Sequence, residues 1–203
     1  MTNLIQPFRP VQLYKVNIAP TPEQQADLDT LLTNMFAQMP SNEWAMETGK
    51  STGSHGLKLH WFDAMRWLVD SAGEHVVKYW EQLGYRQGAN IDILASWANQ
   101  HLENDFTGEH THCGGAEQSH ISAVYYFKKP GGSGNIEFVD PLEYINRMVP
   151  IHHYSEKDAY HEIHAKEYDL ILFPSWIKHR TQRNKTDQER VAISMNYVGT
   201  WGY

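Results

Sequence analysis

Residues 189–199 read ERVAISMNYVG and give the clearest indication of the fold. Successive side chains of an extended strand point to opposite faces of a sheet, so this stretch has two faces. One face is apolar and the other is small or polar. The first carries Val191, Ile193, Met195 and Tyr197, and the second carries Arg190, Ala192, Ser194 and Asn196. We expect the apolar face to pack against helices and the polar face to line the interior of a β-barrel.

Four further stretches share this short, β-branched or aromatic character. They are IDILASWAN (91–99), SHISAVYYFKK (119–129), GNIEFVDP (134–141) and EYDLILFP (167–174). Turn-forming segments such as KPGGSG separate them. Short strands without intervening helices predict an antiparallel sandwich or barrel.

The first half of the chain predicts two amphipathic helices. One begins with Thr21 as N-cap and Pro22 at the first helical position. The other lies within residues 61–85 and ends near Gly84. The whole pattern predicts an α+β fold, a double-stranded β-helix (jelly-roll or cupin-like barrel) supported by N-terminal helices. We expect residues 1–203 to form a single domain, mainly helical over 1–89 and barrel over 90–203.

Composition excludes several classes of protein. The chain has 203 residues, and its formal net charge of −7 argues against nucleic-acid binding by bulk electrostatics. No apolar run approaches the roughly 20 residues of a membrane span, and the N-terminus lacks the pattern of a signal peptide. Cys113 is the one cysteine, so the chain has no internal disulfide and a reducing, cytoplasmic location is expected.

The histidines of GEHTHCGGAEQSH (108–120) are candidates for a metal site. In an extended segment His110 and His112 lie about 6.6 Å apart on one face, so their rings can converge on one ion. A third ligand has to come from elsewhere, and His179 follows the apolar strand of LILFPSWIKHR (170–180). Imidazole suits iron, zinc, copper or nickel. Polar loop histidines without a metal are the alternative.

The polar face of residues 189–199 predicts a carboxylate site. Arginine holds a carboxylate through two parallel hydrogen bonds, and Arg190 stands four residues before Ser194 on this face. In the neighbouring stretch, Tyr126 shares a face with Ser122 and Val124 and offers a phenol to the same carboxylate. A solvent-facing edge strand with an exposed arginine is the alternative.

Together these motifs resemble the 2-oxoglutarate/Fe(II)-dependent oxygenase family of phages and bacteria and, more distantly, the prolyl hydroxylases. The resemblance runs from about Trp97 to Tyr197 and rests on H-T-H, S-A-V-Y-Y, G-N-I-E-F-V-D-P, L-F-P-S-W-I-K-H and E-R-V-A-I-S-M-N-Y in this order. It implies a jelly-roll barrel, Fe(II), 2-oxoglutarate as co-substrate, O2 and a hydroxylated product. The substrate it implies is a prolyl residue of a peptide or protein, with a small molecule as the other possibility.

The resemblance also implies roles for individual residues. His110 and His179 match the metal histidines, and Arg190 matches the basic residue that pairs with the far carboxylate of 2-oxoglutarate. Ser194 and Tyr126 match its usual hydroxyl neighbours. The implied pocket is dry and lined by residues such as Ile136, Phe138 and Trp176.

His112 departs from the family pattern, in which most relatives have Asp or Glu at this position. Three histidine ligands would make the iron centre more positive. Alternatively, Glu109 or Glu117 supplies the missing carboxylate. A further alternative is that the run His112-Cys113-Gly114 resembles iron halogenases, where a small residue leaves room for a halide.

Two other interpretations remain open at the level of the sequence. HTHCGGAE (110–117) fits the cupin pattern H-x-H-x4-E, although Asn104 stands where a cupin glycine is expected. A cupin gives no reason for Arg190 and Ser194 to face inward. A non-catalytic β-barrel binding module with structural histidines is the third interpretation.

Overall fold

The computed structural model describes residues 11–40, 49–53, 56–113, 118–143 and 159–201. Its helices are α1 (Pro22–Gln38) and α2 (Arg66–Gln82), and short 3-10 turns at Leu59–Trp61 and Asp63–Met65 precede α2. Its strands are β1 (Tyr14–Asn17), β2 (Lys50–Ser51), β3 (Asn90–His101), β4 (Ile121–Lys128), β5 (Ile136–Val139), β6 (Tyr160–Ile163), β7 (Asp169–Pro174), β8 (His179–Thr181) and β9 (Arg190–Thr200).

The described strands form two antiparallel sheets. The larger has the order β1-β7-β4-β9-β3-β2, and the smaller has the order β6-β5-β8. From β6 onward, consecutive strands alternate between the two sheets, as in a double-stranded β-helix. The predicted fold class is therefore confirmed, and each of the five predicted stretches contains a strand. The short strands β1, β2, β6 and β8 were not predicted because they are too short to show a clear period.

The two faces of β9 behave as the alternation predicts. Its apolar side chains lie in one buried cluster with both helices: Val191, Ile193, Met195 and Tyr197. Ala192 lies in a second buried cluster between the two sheets, together with Val124 and Tyr126 of β4. The strand therefore separates a helix-covered exterior core from the barrel interior.

The helix boundaries follow local sequence signals. Thr21 caps α1 with Pro22 in the first turn, and Thr21 and Gln24 form a reciprocal capping box. Helix α2 begins at Arg66, later than the apolar pattern from Trp61 suggests, because the preceding residues form the 3-10 turns. Gly84 follows its last turn with φ +72°, a conformation that glycine adopts without strain.

Neither helix in the described part of the chain combines the length and apolar character that crossing a bilayer requires.

Candidate active site

Three histidines from distant parts of the chain meet at the mouth of the barrel. The ring centroids of His110 and His179 lie 4.3 Å apart, and that of His112 lies 4.9 Å and 5.0 Å from them. One possible ligand nitrogen from each ring lies within 4.8 Å of the other two. These three nitrogens would be the atoms that hold a metal ion at this site.

Backbone pairing holds this arrangement together. His110 and His179 form an isolated antiparallel bridge, in which each amide donates to the other residue's carbonyl at 2.9 Å and 3.0 Å. The amide of His112 donates to the carbonyl of Ser175 at 3.0 Å, just after β7. The segment around residue 110 therefore extends the smaller sheet beyond β8, and the alternation of β8 turns His179 inward.

The orientation of the rings leaves Nε2 as the atom for a metal. Nδ1 of His110 lies 2.8 Å from the carbonyl of Gly108, and Nδ1 of His179 lies 3.1 Å from the carbonyl of Ile177. A carbonyl only accepts, so Nδ1 of these rings carries the proton and Nε2 keeps its lone pair. Nδ1 of His112 faces the side-chain amide of Asn196 at 3.4 Å instead.

Burial keeps these imidazoles neutral, which is the form that binds metal. Desolvation lowers the pKa of His112 to about 3, with His110 as a smaller contributor. Desolvation also lowers the pKa of His110 and, more strongly, that of His179.

Glu109 is adjacent to the histidines but is paired elsewhere. Its carboxylate lies 3.0 Å from Nζ of Lys178 and accepts from the Tyr160 hydroxyl at 3.1 Å. Among the described residues, the group whose ligand atoms converge contains the three histidines and no carboxylate. Glu117, the second candidate carboxylate, and Gly114 of the halogenase-like run lie outside the described residues.

Arg190 lies at the other end of the same cavity and is 1% exposed. Its guanidinium donates to the carbonyls of Ser133 and Gln182 and to the hydroxyl of Thr181. The turn that presents Ser133 depends on Gly134, which has φ +81° and where a Cβ would lie 2.7 Å from a backbone oxygen. The inward direction predicted for Arg190 is thus observed, with neutral partners fixing part of the guanidinium.

Several buried polar atoms in this region have no hydrogen-bond partner among the described residues. They are Nε of Arg190, the hydroxyl of Tyr126, Nδ1 of His101 and Oγ of Ser133. Burial raises the pKa of Tyr126 to about 12, so its hydroxyl keeps its proton and is a donor. An unsatisfied buried donor costs about 1–3 kcal/mol, so such a group of donors fits an anionic ligand.

Sequence reasoning missed His101, which is directly opposite Arg190 in the pairing of β3 with β9. Its Nε2 lies 2.8 Å from the hydroxyl of Thr107. The signal was present, since Trp97, Asn99 and His101 occupy one face of β3 and all line the cavity. The alternation of this strand could have been extended by two residues.

One cavity of about 790 Å³ joins the histidines to Arg190. Tyr126, Ser194 and Ile136 line it, as expected. The expectation for Trp176 is wrong: this side chain is 48% exposed and borders a different cavity. Position 176 lies in the turn between β7 and β8, outside the strand alternation that directs side chains inward. The expectation for Phe138 is also wrong, because Phe138 packs against Phe173 and His179 and borders the same second cavity as Trp176.

The model of one protein family, described as "Putative 2OG-Fe(II) oxygenase", matches residues 95–196, which run from within β3 to within β9. The chain belongs to this family. The family uses Fe(II), 2-oxoglutarate and O2, so the predicted cofactors are confirmed. No curated protein matches the chain.

Solved structures of other oxygenases share the fold at low sequence identity. A Pseudomonas putida prolyl-4-hydroxylase has a TM-score of 0.63 and 11% identity, with 92% of each chain covered. HygX from Streptomyces hygroscopicus, with nickel, 2-oxoglutarate and hygromycin B bound, has a TM-score of 0.62 and 9% identity, covering 94% of this chain and 84% of its own. The epimerase SnoN from nogalamycin biosynthesis has a TM-score of 0.63 and 14% identity, covering 93% and 78%.

The residues of this oxygenase fit both groups that the family requires. Three neutral imidazoles are a donor set that Fe(II) accepts. The orphaned donors around Arg190 fit a carboxylate at the far end of the cavity.

Proposed function

We propose that the protein is a 2-oxoglutarate- and Fe(II)-dependent dioxygenase that hydroxylates a C–H bond, with a prolyl residue of a peptide or protein as first candidate substrate. The observation that carries the proposal is the shared cavity, which joins three converging imidazoles to a buried guanidinium with unsatisfied donors. A cupin or a non-catalytic binding module gives no reason for a buried guanidinium with unsatisfied donors.

The metal ligands in this proposal are His110, His112 and His179. His110 and His179 bind through Nε2, because a backbone carbonyl accepts from Nδ1 of each ring. Three protein ligands would leave coordination positions of the ion for co-substrate and O2. The pairing of Glu109 with Lys178 and Tyr160 favours His112 over Glu109 as the third ligand.

Arg190 would bind the far carboxylate of 2-oxoglutarate, assisted by the hydroxyls of Tyr126 and Ser194, which line the same cavity. The carbonyls of Ser133 and Gln182 hold the guanidinium in place before the co-substrate enters, which reduces the ordering cost of binding. We add His101 to this group, because its unpartnered Nδ1 borders the same cavity.

With these groups bound, the metal and co-substrate supply oxidising power: O2 converts 2-oxoglutarate to succinate and CO2, and one oxygen atom enters the substrate. The chain excludes water from this chemistry by apolar walls. Phe173 lies 4.6 Å from the His179 ring, and Trp97 lies 5.5 Å from the His112 ring, measured between centroids. Such a wall protects a reactive oxidant from side reactions.

The choice of a prolyl substrate is supported by the shared fold of the Pseudomonas putida prolyl-4-hydroxylase and of a viral collagen prolyl hydroxylase. A small-molecule substrate is the second candidate, since HygX holds hygromycin B in a similar fold. The cavity of about 790 Å³ has room for one amino-acid side chain or a compact metabolite beside the co-substrate.

The test begins with the Fe(II) protein under anaerobic conditions. Adding 2-oxoglutarate should produce a weak visible charge-transfer band, and admitting O2 should then produce succinate. Proline-containing peptides and small-molecule panels are compared by stimulation of succinate formation and by the mass gain of one oxygen atom in the product.

His179→Ala should abolish both the band and succinate formation, since it removes a ligand contributed by the smaller sheet. His164→Ala is the matched control, because His164 is exposed and lies outside the cavity. A wild-type protein that binds Fe(II) but never forms succinate would refute the proposed function, as would equal loss in both variants.

A further inference from the structure

We infer that Asn196 is a positioning residue that selects the tautomer of His112 through the orientation of its side-chain amide, with Ser122 and Ser175 as the further members of the network. The inference rests on the proposed function, because it concerns the third of the three metal ligands. It assigns a role to the polar position of β9 that neither the metal nor the co-substrate uses directly.

The contacts form a closed path that begins and ends at His112. The side-chain NH2 group of Asn196 faces Nδ1 of His112 at 3.4 Å, and the amide oxygen of Asn196 accepts from the Ser122 hydroxyl at 2.8 Å. Oγ of Ser122 lies 2.9 Å from Oγ of Ser175. The carbonyl of Ser175 in turn accepts from the amide of His112 at 3.0 Å. All three supporting side chains are at least nine-tenths buried.

His112 differs from the other two histidines in the type of group that faces its Nδ1. His110 and His179 face backbone carbonyls, which accept only and therefore fix the proton on Nδ1. His112 faces an amide, which presents either an oxygen or an NH2 group according to a half-turn about its last bond. The tautomer of His112 therefore depends on the orientation of Asn196.

Metal binding through Nε2 requires a proton on Nδ1 of His112, and this proton needs an acceptor. A half-turn of the Asn196 amide from its orientation in the structure makes its oxygen this acceptor, and the NH2 group then donates to Ser122. Ser122 can then donate a hydrogen bond to Ser175, because a hydroxyl both donates and accepts. The serine pair can therefore form hydrogen bonds with the amide in its observed orientation and in the orientation that a metal-bound His112 needs.

The same amide would serve a carboxylate at position 112 in the opposite way. A carboxylate only accepts, so the NH2 group of Asn196 would face it and donate. The best residue at position 196 therefore depends on the residue at position 112. A side chain that merely fills space would show no such dependence.

The experiment measures anaerobic Co(II) affinity by calorimetry and follows the visible Co(II) spectrum, so it does not rely on turnover. Asn196→Leu keeps the size but removes the acceptor, and should weaken Co(II) binding about 10–100-fold. Asn196→Asp supplies a stronger acceptor for Nδ1–H and should bind Co(II) at least as tightly as wild type.

A change of partner at position 112 gives the sharper test. In a His112→Asp background, the order of Co(II) affinities should reverse. The His112→Asp variant, which keeps Asn196, should bind Co(II) more tightly than the His112→Asp/Asn196→Asp double variant, in which two carboxylates face each other. In a His112→Ala background, Asn196→Leu should have no further effect, because the ring on which Asn196 acts is absent.

The outcomes separate the inference from the proposed function. If wild type binds Co(II) but Asn196→Leu binds it equally well, the inference fails and the proposed function stands. The same holds if Asn196→Asp changes the Co(II) affinity in the same direction in both backgrounds. If wild type binds no Co(II), the proposed function fails and the inference fails with it. Should Asn196→Leu not fold, Ser122→Ala replaces it and should give a smaller loss of Co(II) affinity; an unchanged affinity would count against the inference.

Discussion

The two faces of β9 have different tasks although they alternate along one strand. The outward face is apolar and packs on both helices, with Ile193 fully buried among them. The inward face is equally buried but polar: Arg190, Ser194 and Asn196 lie at most 9% exposed. Burial of a polar group costs free energy unless it is paired, so the unpaired Nε of Arg190 on this face lowers the stability of the unliganded protein.

This difference indicates which side chains stabilise the fold and which bind ligands. Outward side chains are satisfied by packing alone. Inward side chains keep unpaired donors, such as Nε of Arg190, whose partner would be the co-substrate. Substitutions of neighbouring residues on β9 should therefore change different properties: outward ones the free energy of unfolding, and inward ones the binding of co-substrate. The expected effects are given from the largest to the smallest.

Arg190→Met should cause the largest loss, and it should appear in co-substrate binding. Losing a buried charge-assisted pair costs about 2–5 kcal/mol, which raises the Kd for 2-oxoglutarate roughly 30-fold to a few thousandfold. Anaerobic titration of the Fe(II) protein, followed by its visible band, gives this Kd.

Arg180→Met is the matched control for Arg190. Arg180 is the next residue after His179 and points away from the cavity, where it pairs with Glu137 at 2.7 Å. Its loss should leave the Kd for 2-oxoglutarate unchanged. Equal Kd values for wild type and Arg190→Met would contradict the assignment of the carboxylate site.

Mild acid should destabilise the metal-free protein through His101, which lines the cavity. Burial, and then the nearby Arg190, lower the pKa of His101 well below its usual value of about 6.5. Below pH 6.5 the unfolded chain gains a proton at this histidine that the folded chain does not bind, so the free energy of unfolding falls as pH falls. One such group contributes about 1.4 kcal/mol per pH unit.

His101→Gln should therefore give a shallower pH dependence than wild type when denaturant unfolding is measured between pH 6.5 and pH 5. A slope identical to that of wild type would mean that His101 is protonated in the folded protein, contrary to its buried position beside Arg190.

The smallest effects should come from two adjacent residues with opposite directions. Ile193→Val removes one methylene from the outward core and should cost about 0.5–1.5 kcal/mol of unfolding free energy without changing the Kd for 2-oxoglutarate. Ser194→Ala should leave the unfolding free energy nearly unchanged and weaken co-substrate binding by about 0.5–1.5 kcal/mol. Equal effects of both changes in both assays would contradict the assignment of stability to the outward face and of ligand binding to the inward face.

Much of the fold was predictable because alternation and capping are local properties. Thr21 and Pro22 define the start of α1 through their own backbone and side-chain chemistry. Period-two alternation placed Arg190 and Ser194 inward and Ile193 outward without knowledge of any partner strand. The exception, Trp176, lies in a turn where no period applies.

The sequence by itself determined the β9 faces, the barrel class and the residue types suited to a metal and a carboxylate. Only the tertiary structure decided that His110 and His179, 69 positions apart by their numbers, pair through their backbones. It also decided that Glu109 is held by Lys178 and that His112 faces Asn196. The physical reason is that strand pairing and register depend on contacts across the barrel, whereas the periodicity of one strand carries no information about its neighbours.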